Sequence, residues 1–441
     1  MITEAQLIDI GRQAVALSSA ELTEAVLTGG ANHLTRFANN TIHQNVSQAD
    51  VDLRVRAAFG KRVGVATTND LSEAGIRRCV ENAANIARHQ AEDPDFIGLP
   101  EPAEYHSIAA ACDTTVAFGP EQRAEAVASI LAVAERDGLV ASGAFATTPQ
   151  ALAVVNSLGV AARQAFAAAD LNITMTGPTS TGRAACTAMD VAEVDAAQAA
   201  ERAARKALAS ADPVTVEPGD YTIVLEEDAV GDLIGFLGYM GFGGKAFNEG
   251  RSFLSGKLGE RVCGESITIC DDGLDPGFLP LPFDFEGVPR RKVVVIDRGI
   301  ARGVVHDRTT AAQAGVESTG HATPPPGAWG PYPMHLKLAP GDATLDEMIA
   351  STERGLLVTR FHYTNIVHPL RTELTGMTRD GTFLIEDGKL TRGVKNLRFT
   401  QSVLAALSNV EMIGKTPRIA EGCLVPALKV GSFHFSGATE F

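Results

Sequence analysis

The segment from Tyr221 to Val262 constrains the fold more than any other part of the sequence. It opens with the apolar, β-branched run Thr222–Leu225 and passes through acidic residues into Leu233–Leu237, which predicts a buried strand followed by a short helix. Four closely spaced glycines come next: Gly238, Gly241, Gly243 and Gly244. Because glycine has no Cβ, this density predicts the end of the regular helix and a close approach of the backbone to another group. We therefore expect a functional contact near these glycines.

The run from Arg251 to Val262, RSFLSGKLGERV, resembles the TldD/PmbA family of bacterial and archaeal proteins. The resemblance extends to the segment FANNTIHQNVSQADVDLRVRAAFGKRVGVATTNDL, which begins at Phe37, and to the segment from Arg360 to Val394. In the peptidase members, the helix after the strand carries His-Glu-x-x-x-His, which supplies two zinc ligands and a glutamate base.

In this sequence the zinc motif falls on residues without its ligands: Gly235, Phe236, Leu237, Gly238, Tyr239 and Met240. None of these side chains is a zinc ligand of the motif or a base at neutral pH. The chain therefore resembles the PmbA (TldE) branch of the family, which lacks the zinc motif. The resemblance implies that this chain carries no catalytic residue, no metal ligand and no cofactor, and that zinc is bound by a partner subunit.

The resemblance also implies a function. By this resemblance the chain is expected to be a non-catalytic TldE/PmbA-type subunit of a TldD/TldE-like zinc metallopeptidase complex. That complex cleaves unfolded peptides, including precursors of peptide antibiotics and antitoxins. Proteolysis is expected only when this chain is bound to the zinc-bearing TldD-type subunit. The expected partners are therefore that subunit and an unfolded peptide, and a homodimer is possible when the chain is isolated.

Two alternatives stay open at this point. One is a protein-binding modulator that acts without proteolysis, in line with the older description of family members as modulators of DNA gyrase. The other is an independent metallohydrolase whose ligands the sequence does not reveal. Copurification of a zinc-bearing relative favours the subunit over the modulator, and a metal assay identifies the hydrolase.

The composition argues against two classes of partner. A formal net charge of −15 and a pI near 5.2 disfavour direct nucleic-acid binding, which depends on clustered Lys and Arg. The sequence contains no apolar run long enough for a membrane span and no secretion signal at its start, so we expect a cytoplasmic protein without membrane contact. Six scattered cysteines without a C-x-x-C pair predict reduced, buried thiols, and we interpret Cys423 as structural.

The chain of 441 residues predicts an α+β fold in two parts. Residues 1–212 form an N-terminal region of antiparallel sheet and amphipathic helices, with a possible division into two subdomains near 91–120. Residues 219–441 form a predominantly β domain, because short β-branched runs alternate there with Asp-Gly and Pro-Gly turns. In the first part, strands are predicted to begin near Leu139, Ala151, Val160 and Asn172.

Six residues are candidates for contact with a peptide or a partner: Gly241, Gly243, Gly244, Arg251, His362 and Asn365. His362 and His368 share a face of a predicted strand, because their separation is even. They lie about 20 Å apart on a regular strand, too far for one metal ion, so we expect contact rather than metal binding. The acidic run Glu226–Asp228 is expected to be a solvated helix start.

Overall fold

The computed structural model of the protein describes residues 3–439. The first region consists, in chain order, of α1 (Glu4–Leu17), β1 (Leu22–Ala38), β2 (Thr41–Phe59), β3 (Arg62–Thr68), α2 (Glu73–His89), α3 (Asp113–Val116), α4 (Pro120–Arg136), β4 (Val140–Asn156), β5 (Ala161–Thr176), β6 (Thr181–Ala188) and α5 (Ala196–Ala209).

The strands of the first region form one antiparallel sheet in the order β3-β2-β1-β4-β5-β6. β1 and β2 make a long hairpin in which Leu22 lies opposite Ala58 and Ala38 lies opposite Thr41. The turn uses Asn39 and Asn40 at φ 51° and 54°, a left-handed conformation that asparagine tolerates better than most residues. The strands β1–β3 precede residues 91–112 and β4–β6 follow them, so strands from both sides of this segment belong to the same sheet.

Helices cover one face of this sheet. α1 and α2 pack on β1, β2 and β4, and α4 and α5 pack on the other half, where Phe37 and Phe145 are buried. The helix α2 begins at Ser72, whose side chain accepts a hydrogen bond from the Gly75 amide. Because neighbouring strand residues point to opposite faces, Leu27 meets the helices while Val26 faces the second region.

Two predicted strand breaks in the first region are wrong. The strands expected near Leu139 and Ala151 are the single strand β4, and those expected near Val160 and Asn172 are the single strand β5. Pro149 lies within β4, where the ladder between β1 and β4 is interrupted between the pairs Gly30–Gln150 and His33–Thr147. Because proline has no N–H to donate to a ladder, an interruption of the pairing is a position at which a strand tolerates it.

The second region consists, in chain order, of β7 (Gly219–Leu225), α6 (Glu227–Gly241), α7 (Gly244–Asn248), β8 (Ile269–Asp271), β9 (Val293–Asp297), β10 (Ile300–Ala301), α8 (Arg308–Ala314), β11 (Leu336–Leu338), α9 (Leu345–Ala350), β12 (Arg354–His368), β13 (Glu373–Glu386), β14 (Lys389–Gly393), β15 (Leu397–Ser402), α10 (Val403–Ser408), β16 (Val410–Ile413), β17 (Arg418–Ala420), β18 (Cys423–Val425) and β19 (Leu428–Ala438).

The strands of the second region form two sheets. In one of them β12, β7, β19, β15 and β13 follow one another, and β13 pairs again with β12, so these strands close into a ring. Closure leaves few unpaired edges on these strands. The other sheet has the order β10-β9-β8-β11-β18-β17. The α+β class is confirmed, with an antiparallel sheet and helices followed by a β-rich region.

The helix α6 lies between the two sheets of the second region, in a core that includes Leu233, Ile234, Leu237, Phe253 and Phe399. It ends at Gly241 and the separate helix α7 begins at Gly244, so the prediction that the glycine cluster ends the regular helix is confirmed, although Gly238 lies within α6. The dense apolar core on its buried side stabilises the helix by more than glycine destabilises it. Among residues 3–439, no helix is both long and apolar enough to cross a membrane.

Candidate functional site

The side of α6 that faces away from the core carries a stripe of partly exposed residues. They recur every three or four positions, as expected for one helix face: Asp228, Asp232, Gly235, Phe236 and Tyr239. Tyr239 is the most open of them, with 59 % of its surface exposed. We call this set the α6 stripe. It includes three of the positions to which the family resemblance assigns the zinc motif, Gly235, Phe236 and Tyr239.

Asp232 is the titratable group in the middle of the α6 stripe. Its carboxylate accepts a hydrogen bond from the Thr364 hydroxyl of β12. Burial raises the pKa of Asp232 to about 6, the hydrogen bond from Thr364 opposes that shift, and the negative charge of Glu421 reinforces it. A carboxyl group that titrates near neutral pH can accept a hydrogen bond in one state and donate one in the other.

Gly235 and Cys423 face each other where a zinc ligand would be expected. A Cβ at Gly235 would lie 3.9 Å from the Cys423 sulfur. Burial, reinforced by the charge of Asp271, raises the pKa of the Cys423 thiol to about 12, whereas zinc binds the deprotonated thiolate. Met240 is buried in the core. These residues do not fit a zinc ion, and residues 3–439 contain no group of three or more His, Cys, Asp or Glu side chains suited to a metal.

The acidic start of α6 is paired with cations rather than solvated, which corrects the prediction for Glu226–Asp228. Each carboxylate has a basic partner from the first region or from β17. Lys206 Nζ pairs with Glu226, Arg183 Nε lies 3.4 Å from Asp228 Oδ2, and Arg418 Nε lies 3.9 Å from Glu227 Oε1. These partly buried pairs join α5 and β6 to the first turn of α6.

Two cavities lie at the junction of the two regions, and the second of them reaches Asp228 of the α6 stripe. The first, of about 770 Å³, is lined by β1, β4 and β5 on one side and by Phe278, Met334 and His335 on the other. The second, of about 1160 Å³, lies among α5, β6, β17 and the first turn of α6. Thr187 borders both cavities. The site is therefore an extended cleft rather than a closed pocket.

The glycine candidates lie inside the fold at the end of α6. A Cβ at Gly241 would come within 2.6 Å of the Phe253 ring, and one at Gly243 within 2.5 Å of the Pro331 carbonyl oxygen. At Gly244 it would lie 2.4 Å from His306 Nδ1. The expected close approach of the backbone is present, with Phe253, His306 and the proline-rich loop around Pro331 as neighbours. A role of these glycines in binding stays a prediction.

The remaining candidates lie at two different places. Arg251 follows α7, is exposed, and donates a hydrogen bond from Nε to Glu249 Oε2 over 2.7 Å. His362 and Asn365 flank an irregularity of β12 at which Tyr363 has φ 51°. That irregularity removes the regular alternation from which we placed His362 and His368 on one face. His362 and Asn365 lie next to Thr364 and thus border the α6 stripe, whereas Arg251 does not belong to it.

A histidine and an aspartate also meet away from the stripe. His321 Nε2 lies 2.8 Å from Asp271 Oδ1, and His321 Nδ1 lies 2.9 Å from the Thr319 hydroxyl oxygen. The side chains of His321 and Asp271 are fully buried, and the Thr319 hydroxyl is also hydrogen-bonded to the backbone of His306. A substrate cannot reach this group, so we interpret it as structural.

Sequence reasoning missed Asp232, Thr364 and the cations that pair with the start of α6. The sequence did contain a signal for Asp232, because Asp228, Asp232, Gly235 and Tyr239 recur at helical spacing among otherwise apolar residues. The cations carried no such signal, since Arg183 and Lys206 lie in other elements of the first region. Taken together, the cleft offers hydrogen-bonding groups, charge and apolar surface, which suits the binding of an extended polar chain.

Comparison with known sequences identifies two domains. The family description "PmbA/TldA metallopeptidase domain 1" matches residues 23–87, and "PmbA/TldA metallopeptidase C-terminal domain" matches residues 218–437. A metalloprotease of Methanothermobacter thermautotrophicus is 30% identical over 188 residues, which are 40% of this chain and 38% of that protein. A metalloprotease TldD homolog of Haemophilus influenzae is 28% identical over 217 residues, 48% of this chain and 45% of that protein. The matched part thus spans less than half the length of these relatives.

Comparison with solved structures covers nearly the whole chain. TldE from Thermococcus kodakarensis superposes with a TM-score of 0.89 at 22% identity, covering 99% of this chain and 100% of that one. A putative modulator of a DNA gyrase from Thermotoga maritima superposes with a TM-score of 0.88 at 19% identity, covering 97% and 99%. At these identities the similarity concerns the fold.

Proposed function

The chain belongs to the PmbA/TldD metallopeptidase family, and on that premise we propose that it is the TldE-type subunit of a two-subunit peptidase. In this proposal the zinc ion and the catalytic glutamate belong to a TldD-type partner. The substrate is an unfolded peptide, and this chain helps to hold the peptide and the partner. Cleavage takes place only in the complex.

The proposal depends chiefly on one observation about α6. The helix positions at which the family motif places its histidines are Gly235 and Met240. Gly235 leaves an open surface beside the protonated Cys423 thiol, and Met240 is 4 % exposed within the core. A zinc peptidase needs three protein ligands, an open coordination position and a base. The α6 stripe therefore supports binding better than catalysis.

The α6 stripe has groups suited to an extended peptide. Asp232 can hydrogen-bond a peptide amide, and Tyr239 offers an exposed aromatic ring with a hydroxyl. Asn365 on β12 is exposed and adds an amide group, which can both donate and accept. An unfolded peptide presents unpaired backbone groups along its whole length, so a row of such side chains can bind many sequences.

The test is reconstitution of cleavage from separate subunits. This chain, a relative that contains His-Glu-x-x-x-His, and their mixture are each incubated with an unstructured peptide, and products are identified by mass spectrometry. We expect products from the mixture alone, and none when the glutamate of the relative's motif is replaced by glutamine. The Asp232→Asn variant should raise KM with little change in kcat, since Asp232 is assigned to binding.

Three results would contradict the proposal. One zinc ion per chain in this protein alone, retained after dialysis against a weak chelator, together with cleavage by this chain alone, would favour an independent hydrolase. A stable complex with the relative that cleaves no peptide would favour a binding protein that acts without proteolysis. Loss of cleavage on Cys423→Ser with the complex intact would also place chemistry on this chain.

A further inference from the structure

The larger cavity between the two regions contains a cation without a partner. Arg202, on α5, lines this cavity of about 1160 Å³. Its Nε is buried, and within residues 3–439 its guanidinium makes no hydrogen bond and no ion pair. A buried donor that lacks an acceptor is unfavourable, so a ligand oxygen placed against it would lower the free energy.

The three carboxylates at the first turn of α6, which also line this cavity, already have partners. Glu226 pairs with Lys206, Glu227 with Arg418, and Asp228 with Arg183. The cations and carboxylates at the first turn of α6 are thus matched in number, and Arg202 adds one positive charge. Burial, the largest cause, and the positive charge of Arg418 lower the pKa of Arg202, whereas its interactions with Cys186, Glu226 and Glu227 oppose this shift.

A second polar group of the same cavity is also without a partner. Thr359 lies on β12, is 2 % exposed, and its hydroxyl forms no hydrogen bond within the described chain. The amide of Glu226 donates to the carbonyl of Val358 over 3.0 Å, which keeps Thr359 beside the start of α6. Apolar residues complete the wall, among them Leu357 and Phe383.

We propose that this cavity binds a singly charged carboxylate, with the Arg202 guanidinium as its main partner. A guanidinium presents two parallel N–H groups that match the two oxygens of a carboxylate. A doubly charged phosphate is disfavoured, because Glu226, Glu227 and Asp228 would repel its second charge. The occupant we assign is the C-terminal carboxylate of a short peptide, with its apolar side chains against Leu357 and Phe383.

The choice of a peptide rests on the proposed function, whereas the choice of a carboxylate rests on Arg202 alone. The test is calorimetric titration of this chain, without any partner subunit, with N-acetyl-trialanine and with its C-terminal amide. We expect the free acid to bind at least about tenfold more tightly than the amide, the usual size of one charge-assisted interaction. Failure here leaves the reconstituted cleavage unaffected, so the two proposals fail separately.

Variants identify the side chain responsible. Arg202→Met should reduce the preference for the acid to less than about twofold. Arg77→Met is the matched control, because Arg77 is an exposed helical arginine of the same region that does not line the cavity, and it should keep the full preference. The melting temperature of unliganded Arg202→Met should be unchanged, because the substitution removes both the repulsion from Arg418 and the attraction to Glu226 and Glu227.

The opposing outcomes are equally specific. Equal affinity for acid and amide, absence of binding by either, or an unchanged preference in Arg202→Met would overturn the site. Inorganic phosphate binding more tightly than acetate would overturn its restriction to a single charge. Acetate binding as tightly as the peptide acid would support the carboxylate site and overturn its assignment to a peptide terminus. A melting temperature several degrees lower in Arg202→Met would make Arg202 a structural residue.

Discussion

Two buried charged clusters in this protein differ in how well their polar atoms are satisfied. The first surrounds Asp271, at the end of β8. Its Oδ1 lies 2.8 Å from His321 Nε2, its Oδ2 accepts a hydrogen bond from the His335 amide over 2.7 Å, and Arg290 NH1 lies 3.8 Å from Oδ1. We call this group the Asp271 cluster. It ties the segment around His321 and His335 to the sheet of β8 and β11.

The second cluster joins the two regions. Arg56 NH2, from β2, donates to Glu24 Oε2 of β1 over 2.9 Å and to Glu286 Oε1 of the second region over 3.0 Å. Three buried atoms of this group have no hydrogen-bond partner within residues 3–439, namely Glu24 Oε1, Glu286 Oε2 and Arg56 Nε. We call this group the Glu24 cluster.

The two clusters show that hydrogen bonding, more than burial, decides the state of a buried carboxyl. Burial alone would raise the pKa of Asp271, but the hydrogen bond from His321 and the charge of Arg290 lower it to about 2. Burial raises the pKa of Glu24 to about 7, although Arg56 opposes the shift. An incompletely bonded carboxylate at a junction therefore costs stability at neutral pH, whereas a fully bonded one contributes to it.

The largest effect is expected from Asp271→Ala. Removal of the carboxylate leaves His321, Arg290 and the His335 amide without their acceptor, so we expect a loss of about 3–5 kcal/mol in the free energy of unfolding by urea at pH 7. The control is Asp297→Ala, which removes an exposed pair with Arg302 and should cost less than about 1 kcal/mol. Similar losses in both variants would contradict the special role of the buried cluster.

A smaller, pH-dependent effect is expected from Arg56→Met. Without this cation, Glu24 and Glu286 face each other in a buried space, and we expect a loss of about 2–4 kcal/mol at pH 8. At pH 5 Glu24 is protonated, so the loss should be smaller. Unfolding by urea at both pH values measures the difference, with Arg77→Met as the exposed control. A loss that is the same at pH 5 and pH 8 would show that Arg56 acts through packing.

The Glu24→Gln variant tests the sign of the pH dependence. In the folded protein the pKa of Glu24 is about 7, above its ordinary value, so its protonation stabilises the fold fully below pH about 4.5, and this contribution is lost as the pH rises through 7. The wild-type protein should therefore lose about 1–3 kcal/mol between pH 5 and pH 8 that the variant retains. Arg56, Glu286 and Arg308 face this group and remain in place.

Part of the decrease in the free energy of unfolding between pH 5 and pH 8 should persist in Glu24→Gln. Burial and the charge of Glu286 raise the pKa of Asp284 to about 7, so this carboxyl contributes in the same direction. Glu81→Gln changes an exposed residue of α2 and serves as the control. Its free energy of unfolding should depend on pH as that of the wild-type protein does. A variant profile as steep as that of the wild type would assign the whole dependence to Asp284.

The smallest effect is expected where the unsatisfied group is uncharged. Thr359→Val replaces a buried hydroxyl without a partner by a methyl group of similar shape, so the protein should gain up to about 1 kcal/mol. Thr378→Val is the matched control, since the Thr378 hydroxyl accepts a hydrogen bond from the Leu397 amide over 3.0 Å, and it should cost about 1 kcal/mol. Losses of equal size in both would show that the Thr359 hydroxyl has a partner in solution.

Local patterns in the sequence were sufficient to predict much of the fold. Amphipathic helices were predicted for the first region, and α2 is one of them: Ile76, Cys79, Val80 and Ala83 are near neighbours in the chain and are all buried on one helix face. The family resemblance and the α+β class followed from segments long enough to be specific. Strand continuity was less predictable, since β4 continues through Pro149 at a place where its pairing with β1 is interrupted and its pairing with β5 is kept.

The sequence by itself thus determined the family and the α+β class, and the family resemblance assigned the zinc motif to positions that include Gly235 and Met240. Only the tertiary structure brought Asp232 to Thr364, 132 residues away, and Arg56 to Glu286, 230 residues away. It also decided that Arg202 makes no ion pair within residues 3–439, whereas Arg418 and Lys206 are paired. The physical reason is that the state of a buried charge depends on every group within a few ångströms, and such groups are assembled by folding from distant parts of the chain.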